Sequence, residues 1–133
     1  MSYVCFLFEG LLYRESAAHP INVGFSICAS LKETKLVSTK SFFTIDKNFV
    51  DSFLSQIKEQ PADSKFSESE WSQITDYIEH YSNSDMLQIL QSEECVFALE
   101  KDGVVVLFPV PHAIGDYLKI SIPYSWETTV SSN

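Results

Sequence analysis

Three histidines, three cysteines and eighteen carboxylates are the groups in this sequence that could do chemistry, and their spacing decides which chemistry is open to it. His112 and Asp116 stand four residues apart in a loop that also holds Pro109, Pro111 and Gly115, and they form the only close His/acid pair. A metal centre needs three or four converging ligands, so the two readings are a ligand pair awaiting others and a loop histidine beside a carboxylate. His19 precedes Pro20 in a turn, and His80 falls on the polar side of a helical stretch. Cys95 with His112 is the conceivable nucleophile and base. Yet Cys95 opens an apolar run, and burial raises a thiol's pKa, away from the thiolate that attack requires. Glu93-Glu94 and the trio Glu68, Asp76 and Glu79 supply carboxylates in number, but nothing apolar beside them would hold a proton on one of each pair. G-x-S-x-G, the P-loop, G-x-G-x-x-G and H-E-x-x-H are all missing. The expectation is a protein that is not an enzyme, with no cofactor and no bound metal.

Charge is more informative than catalysis. The chain of 133 residues carries a formal net charge of −9, and that excess is local. Residues 1–45 hold three acids against four basic residues, whereas residues 46–102 hold thirteen acids against four lysines. A negative field repels phosphate and offers no basic groove from which counterions can be released, which argues against nucleic acid as a partner. It attracts a basic protein and speeds its arrival. The bland reading is a well-solvated helical face. The acids Glu68, Asp76, Glu79, Asp85, Glu93 and Glu94 are the candidate contacts, with Tyr77, which falls off the apolar stripe of its helix, as an aromatic anchor.

The elements that carry these residues follow from periodicity. Residues 3–8, 21–31 and 36–45 are rich in aromatic and β-branched residues and predict three strands in a meander. Within the second, Val23, Phe25 and Ile27 alternate with Gly24, Ser26 and Cys28, giving one apolar face and one small or polar face. The period then changes. Phe49, Phe53 and Ile57 recur at i+4 beside Val50 and Leu54, behind Asp46 as N-cap, and Pro61 ends that helix. Ser67-Glu68-Ser69-Glu70 is a capping box, flanked by Phe66 and Trp71 as a hydrophobic staple. Trp71, Ile74, Ile78 and Tyr81 form the stripe of the second helix, and residues 86–90 suggest a short third one after Ser82-Asn83-Ser84. Two strands, 95–99 and 104–108, meet at Asp102-Gly103, read as a type I′ hairpin turn with positive φ at both central positions. Leu118, Ile120, Ile122 and Tyr124 alternate along a last strand whose Pro123 puts it at an edge or an end. From about residue 128 the chain is a polar tail. The predicted fold is one α+β domain over 1–133, a mostly antiparallel sheet packed as a layer against two or three helices.

At this length a chain buries roughly two-thirds of the surface its unfolded form exposes, so it needs no metal or disulfide to hold a core. Met1-Ser2-Tyr3 offers no basic n-region, and the apolar run after it is broken by Glu9 and Gly10, so it reads neither as a signal peptide nor as a membrane span. Cys5, Cys28 and Cys95 form an odd set without C-x-x-C, each in an apolar stretch. They predict buried reduced thiols and a cytoplasmic location with no membrane association.

The last third carries a resemblance. Phe97-x-Leu99, Asp102-Gly103-Val104, Phe108, Pro111-His112-Ala113-Ile114-Gly115 and Ile122-Pro123-Tyr124-Ser125, all within 94–126, resemble the C-terminal signature of a domain family. That family occurs in lysozyme-sensing anti-sigma factors and as an accessory domain of polysaccharide deacetylases. His112 stands where the family has Tyr, and the loop after Phe108 is shorter here. The resemblance implies a hairpin-plus-strand geometry and a protein-binding rather than catalytic domain.

Two functions are therefore expected. In overall character the chain is similar to bacterial toxin immunity proteins, which predicts a cytoplasmic inhibitor that occludes a basic toxin, such as a nuclease. The alternative is a sensor or accessory domain that binds a cell-wall enzyme such as lysozyme, or a glycan.

Overall fold

Phe53, Phe97 and Phe108 are fully buried and mark where the core sits, between the three helices and one face of the C-terminal sheet. The computed structural model describes residues 3–15, 19–59 and 66–124. In chain order the elements are β1 (Tyr3–Leu12), β2 (Ile21–Ser30), β3 (Lys35–Val37), α1 (Lys47–Lys58), α2 (Glu68–Glu79), α3 (Asn83–Gln91), β4 (Val96–Glu100), β5 (Gly103–Pro109) and β6 (Tyr117–Pro123). This is an α+β fold. Pro61 and the polar tail lie outside the described residues.

The helix signals act as their chemistry requires. The Asp46 carboxylate accepts from the Phe49 N–H at 3.0 Å. Ser67 and Glu70 exchange both capping-box bonds, at 3.0 and 3.1 Å, and the Phe66 and Trp71 rings lie 6.2 Å apart as the staple. Ser82 caps α3 by accepting from Asp85. The stretch 82–84 is thus the start of α3 rather than a loop before it. The stripes Phe49–Val50–Phe53–Ile57 of α1, Trp71–Ile74–Ile78 of α2 and Met86–Leu90 of α3 all face β4–β5–β6. There Val104, Val106, Phe108, Leu118, Ile120 and Ile122 complete the core, and the Phe53 and Phe108 rings stand 5.2 Å apart.

Three expectations are corrected. The strands do not form one layer: they make two three-stranded antiparallel sheets, β1–β2–β3 and β4–β5–β6. The first lies across the outer face of the second, where Leu7 packs on Ala98, Val105 and Leu107. The third strand is only Lys35–Val37, because the chain turns into a short 3-10 helix at Thr39–Phe42 that carries it to α1. The β4–β5 hairpin pairs Glu100 with Gly103, so Lys101 and Asp102 are its central residues, and neither has positive φ. Gly103 is a glycine for a different reason. A Cβ there would stand 2.4 Å from the backbone oxygen of Ile122 on β6.

The cysteines differ as well. Cys5 and Cys28 face each other in the β1–β2 register and are joined as a disulfide, with Cα atoms 4.1 Å apart. The sequence predicts reduced thiols at both positions, and the disulfide corrects that expectation. They are 23 residues apart with no spacing motif to announce them, and only the strand register brings them together. Cys95 is a buried free thiol, as expected. No helix among the described residues is long and apolar enough to cross a membrane.

Candidate functional site

The helical layer presents a groove between α1 and α2 that ends at the start of α3. Its position follows from the caps. Trp71 lies one turn into α2, directly after the capping box, and its indole N–H donates to the Ile57 carbonyl at 3.3 Å. That bond satisfies one of the carbonyls left open at the end of α1 and fixes the two helices at one separation. Leu54, Ile57, Trp71, Ile78 and Tyr81 form the apolar floor. Asp51 and Lys58 border it from α1, and Glu68, Ser72, Thr75 and Glu79 run along it from α2.

The seven residues singled out from sequence divide between the groove rim, the rest of α2, and a second acidic group made of Asp85, Glu93 and Glu94. Glu68 and Glu79 are exposed on the groove rim. Asp76 is exposed on α2, and its backbone carbonyl meets His80 Nδ1 at 2.6 Å. Tyr77 is half-buried against the core, and its hydroxyl lies 2.6 Å from that of Tyr81. Asp85 stands in the first turn of α3, where the helix dipole favours a carboxylate, and Glu93 and Glu94 are exposed in the turn before β4.

Tyr81 joins these sets. Its hydroxyl is pushed up to about 12, chiefly by the hydrogen bond with Tyr77, then by burial, with Asp85 and Glu94 among the charges that oppose its ionisation. Tyr81 therefore stays a neutral hydroxyl at the end of the groove nearest the second acidic group. The arrangement can bind and orient: an apolar floor with a neutral hydroxyl and acids at its margin. Periodicity missed the α1 side of the site, Asp51, Leu54 and Lys58. They sit at +3 and +4 spacing on the flank of the stripe, and that offset was the available signal.

The chemistry candidates are otherwise employed. His112 Nδ1 lies 2.7 Å from Asp116 Oδ1. The other carboxylate oxygen of Asp116 accepts from the backbone N–H of Asn22 at 2.6 Å and from its side-chain amide at 3.2 Å. The pair thus ties the loop before β6 to the start of β2. Among the described residues, no three His, Cys, Asp or Glu side chains converge as metal ligands. Burial pushes the Cys95 thiol up to about 12, with the Lys40 ammonium opposing, so at neutral pH it is a thiol and not a thiolate. His19 is exposed.

No protein-family model matches this chain, and no characterised protein matches it at a significant level.

Proposed function

We propose that this protein is a binding inhibitor of the toxin-immunity kind, which occludes a basic protein through the α1–α2 groove and its acidic margin. The observation that carries the reading is the placement of Glu68 and Glu79 along a groove in which the half-buried Leu54 and Tyr81 stand over the buried Ile57, Trp71 and Ile78. A desolvated apolar centre inside a charged rim is the anatomy of a protein interface, in which the centre holds the partner and the rim steers it. The acids of residues 46–102 supply the long-range attraction. Asp85, Glu93 and Glu94 extend that field beyond the groove.

The test is co-production with the C-terminal domain of the protein encoded immediately upstream, which is expected to be basic and toxic by itself. This chain should bind it and restore growth when the two are produced together. Glu68→Gln with Glu79→Gln should slow association about tenfold at low salt and flatten its salt dependence, while Leu54→Ala should speed dissociation. Failure of the wild-type chain to bind or protect removes the reading.

One observation favours the second reading, an extracytoplasmic sensor or accessory domain for a cell-wall enzyme or glycan. The Cys5–Cys28 disulfide belongs to an oxidising compartment, whereas the inhibitor reading as drawn from sequence is cytoplasmic. Thiol trapping separates the two. Because Cys28 is buried, cells are quenched in acid and the unfolded chain is alkylated before any reductant is added. Alkylation of Cys5 and Cys28 at that stage matches the cytoplasmic inhibitor, and their protection until reduction matches the exported domain.

A further inference from the structure

Alternation puts every residue of the β1–β2–β3 sheet on one of two faces, and the register identifies them. Tyr3, Cys5, Leu7 and Glu9, with Asn22, Gly24, Ser26 and Cys28, face the second sheet. The opposite face pairs Val4 with Ala29, Phe6 with Ile27, Phe8 with Phe25, Gly10 with Val23 and Leu12 with Ile21, and Leu36 of β3 extends it beside Ala29. That outward face has no charged residue and no polar side chain. Phe6 is 54% exposed, Phe8 44%, Phe25 52% and Leu36 72%, and the Phe8 and Phe25 rings stack at 4.8 Å across the strands. With Leu12 41% and Ile27 39% exposed on the same face, the apolar area is roughly 600 Å², at the upper end of the roughly 300–600 Å² of the largest patch on a typical monomer.

We infer that this face is the interface of a homodimer, in which two copies pack their β1–β2–β3 sheets against each other as the inner leaves of a sandwich. Three features favour a second copy as the occupant. The area meets the roughly 600 Å² per partner at which stable interfaces begin. The face has nothing polar to satisfy, so it is complementary to itself, as an isologous contact between identical patches requires. The third feature is charge. The helices, which carry six acids against two lysines, lie on the far side of β4–β5–β6, so face-to-face copies hold their two negative fields at opposite ends of the assembly. A contact through the helices would oppose them. Gly10 adds relief: a Cβ there would meet nothing within 4 Å, leaving a notch beside the Phe8–Phe25 stack that a ring of the second copy fills as the twisted sheets cross. The dimer leaves the α1–α2 groove open on both copies.

Sedimentation equilibrium tests this directly. The wild-type chain should show twice its 15.1 kDa mass. Phe25→Asp, at the centre of the face, should halve the mass with the far-UV circular dichroism unchanged. Phe6→Lys, on the edge strand, provides the same test where the first variant fails to fold. A wild-type chain that stays at the single-chain mass overturns the proposal, including one that instead floats with phosphatidylcholine vesicles. So does a dimer that persists in a folded variant.

Discussion

Gly24 of β2 lies so close to Leu107 of β5 that a Cβ at Gly24 would stand 2.3 Å from the leucine Cδ1. This contact explains why the small face of β2 points inward. Ser26 reinforces it, donating its hydroxyl to the Phe97 carbonyl of β4. Two sheets approach closely only where one presents little side-chain volume, and on β2 that face is Gly24–Ser26–Cys28.

Gly24→Ala should therefore destabilise the fold by about 1 kcal/mol, and Gly24→Val by about 2–3 kcal/mol, as overpacking does. Because the obstructing atom is a side-chain tip, Gly24→Ala combined with Leu107→Ala should cost less than the two changes summed. Urea denaturation of the four chains measures this, and strict additivity would show that the contact is not what limits the approach.

Gly103 meets backbone rather than a side chain. Gly103→Ala places its Cβ against the Ile122 carbonyl, which cannot swing aside without breaking the β5–β6 ladder. A loss of about 2–3 kcal/mol is expected, read as a lowered urea midpoint, with no rescue from shortening Ile122.

Asp116 gives the fold an acid-labile tie. Burial opposes its charge, but the Asn22 N–H, His112 and the Asn22 amide donate to it and prevail, so its pKa lies below the ordinary 3.8. A depressed folded-state value means that the stabilisation is complete above the unfolded pKa and is lost as pH falls through the folded one. Asp116→Asn keeps a residue suited to the positive φ of 72° at this position and removes the charge. It should lower stability by about 1 kcal/mol at pH 7 and by less towards pH 3, as followed by thermal melts across that range.

The disulfide predicts thiol behaviour. The air-oxidised chain, unfolded in guanidinium, should react with one equivalent of thiol reagent, from Cys95, and the reduced chain with three. In the folded protein at pH 8, Cys95 should resist alkylation, because it is buried and its thiol is pushed up to about 12. Replacing both Cys5 and Cys28 by Ser should cost about 3 kcal/mol, for the loop of 23 residues they close.

Local signals were legible wherever chemistry acts over three or four residues. Asp46, the Ser67–Glu70 box and the three helical stripes could be read directly, because caps and stripes depend on neighbours along the chain. Half of the candidate site was legible for the same reason: Glu68 and Glu79 fall off the α2 stripe. Its α1 side was not, because Leu54 becomes groove floor only when Trp71 bonds to Ile57 across a 14-residue separation. The Asp102-Gly103 signal marked a real hairpin but assigned the glycine the wrong task, since its constraint comes from β6, which lies farther along the chain.

Sequence alone determined that this chain has an acidic helical segment between two β regions, and that β2 has an apolar and a small face. Alternation and charge are properties of a residue and its neighbours. Tertiary structure alone decided that the small face is the buried one, that Cys5 meets Cys28, and that ten apolar residues of the first sheet are left facing outward. The physical reason is steric. Burial of apolar surface drives the sheets together, but Gly24 against Leu107 sets how closely they approach, and close approach prevailed over burying the larger side chains.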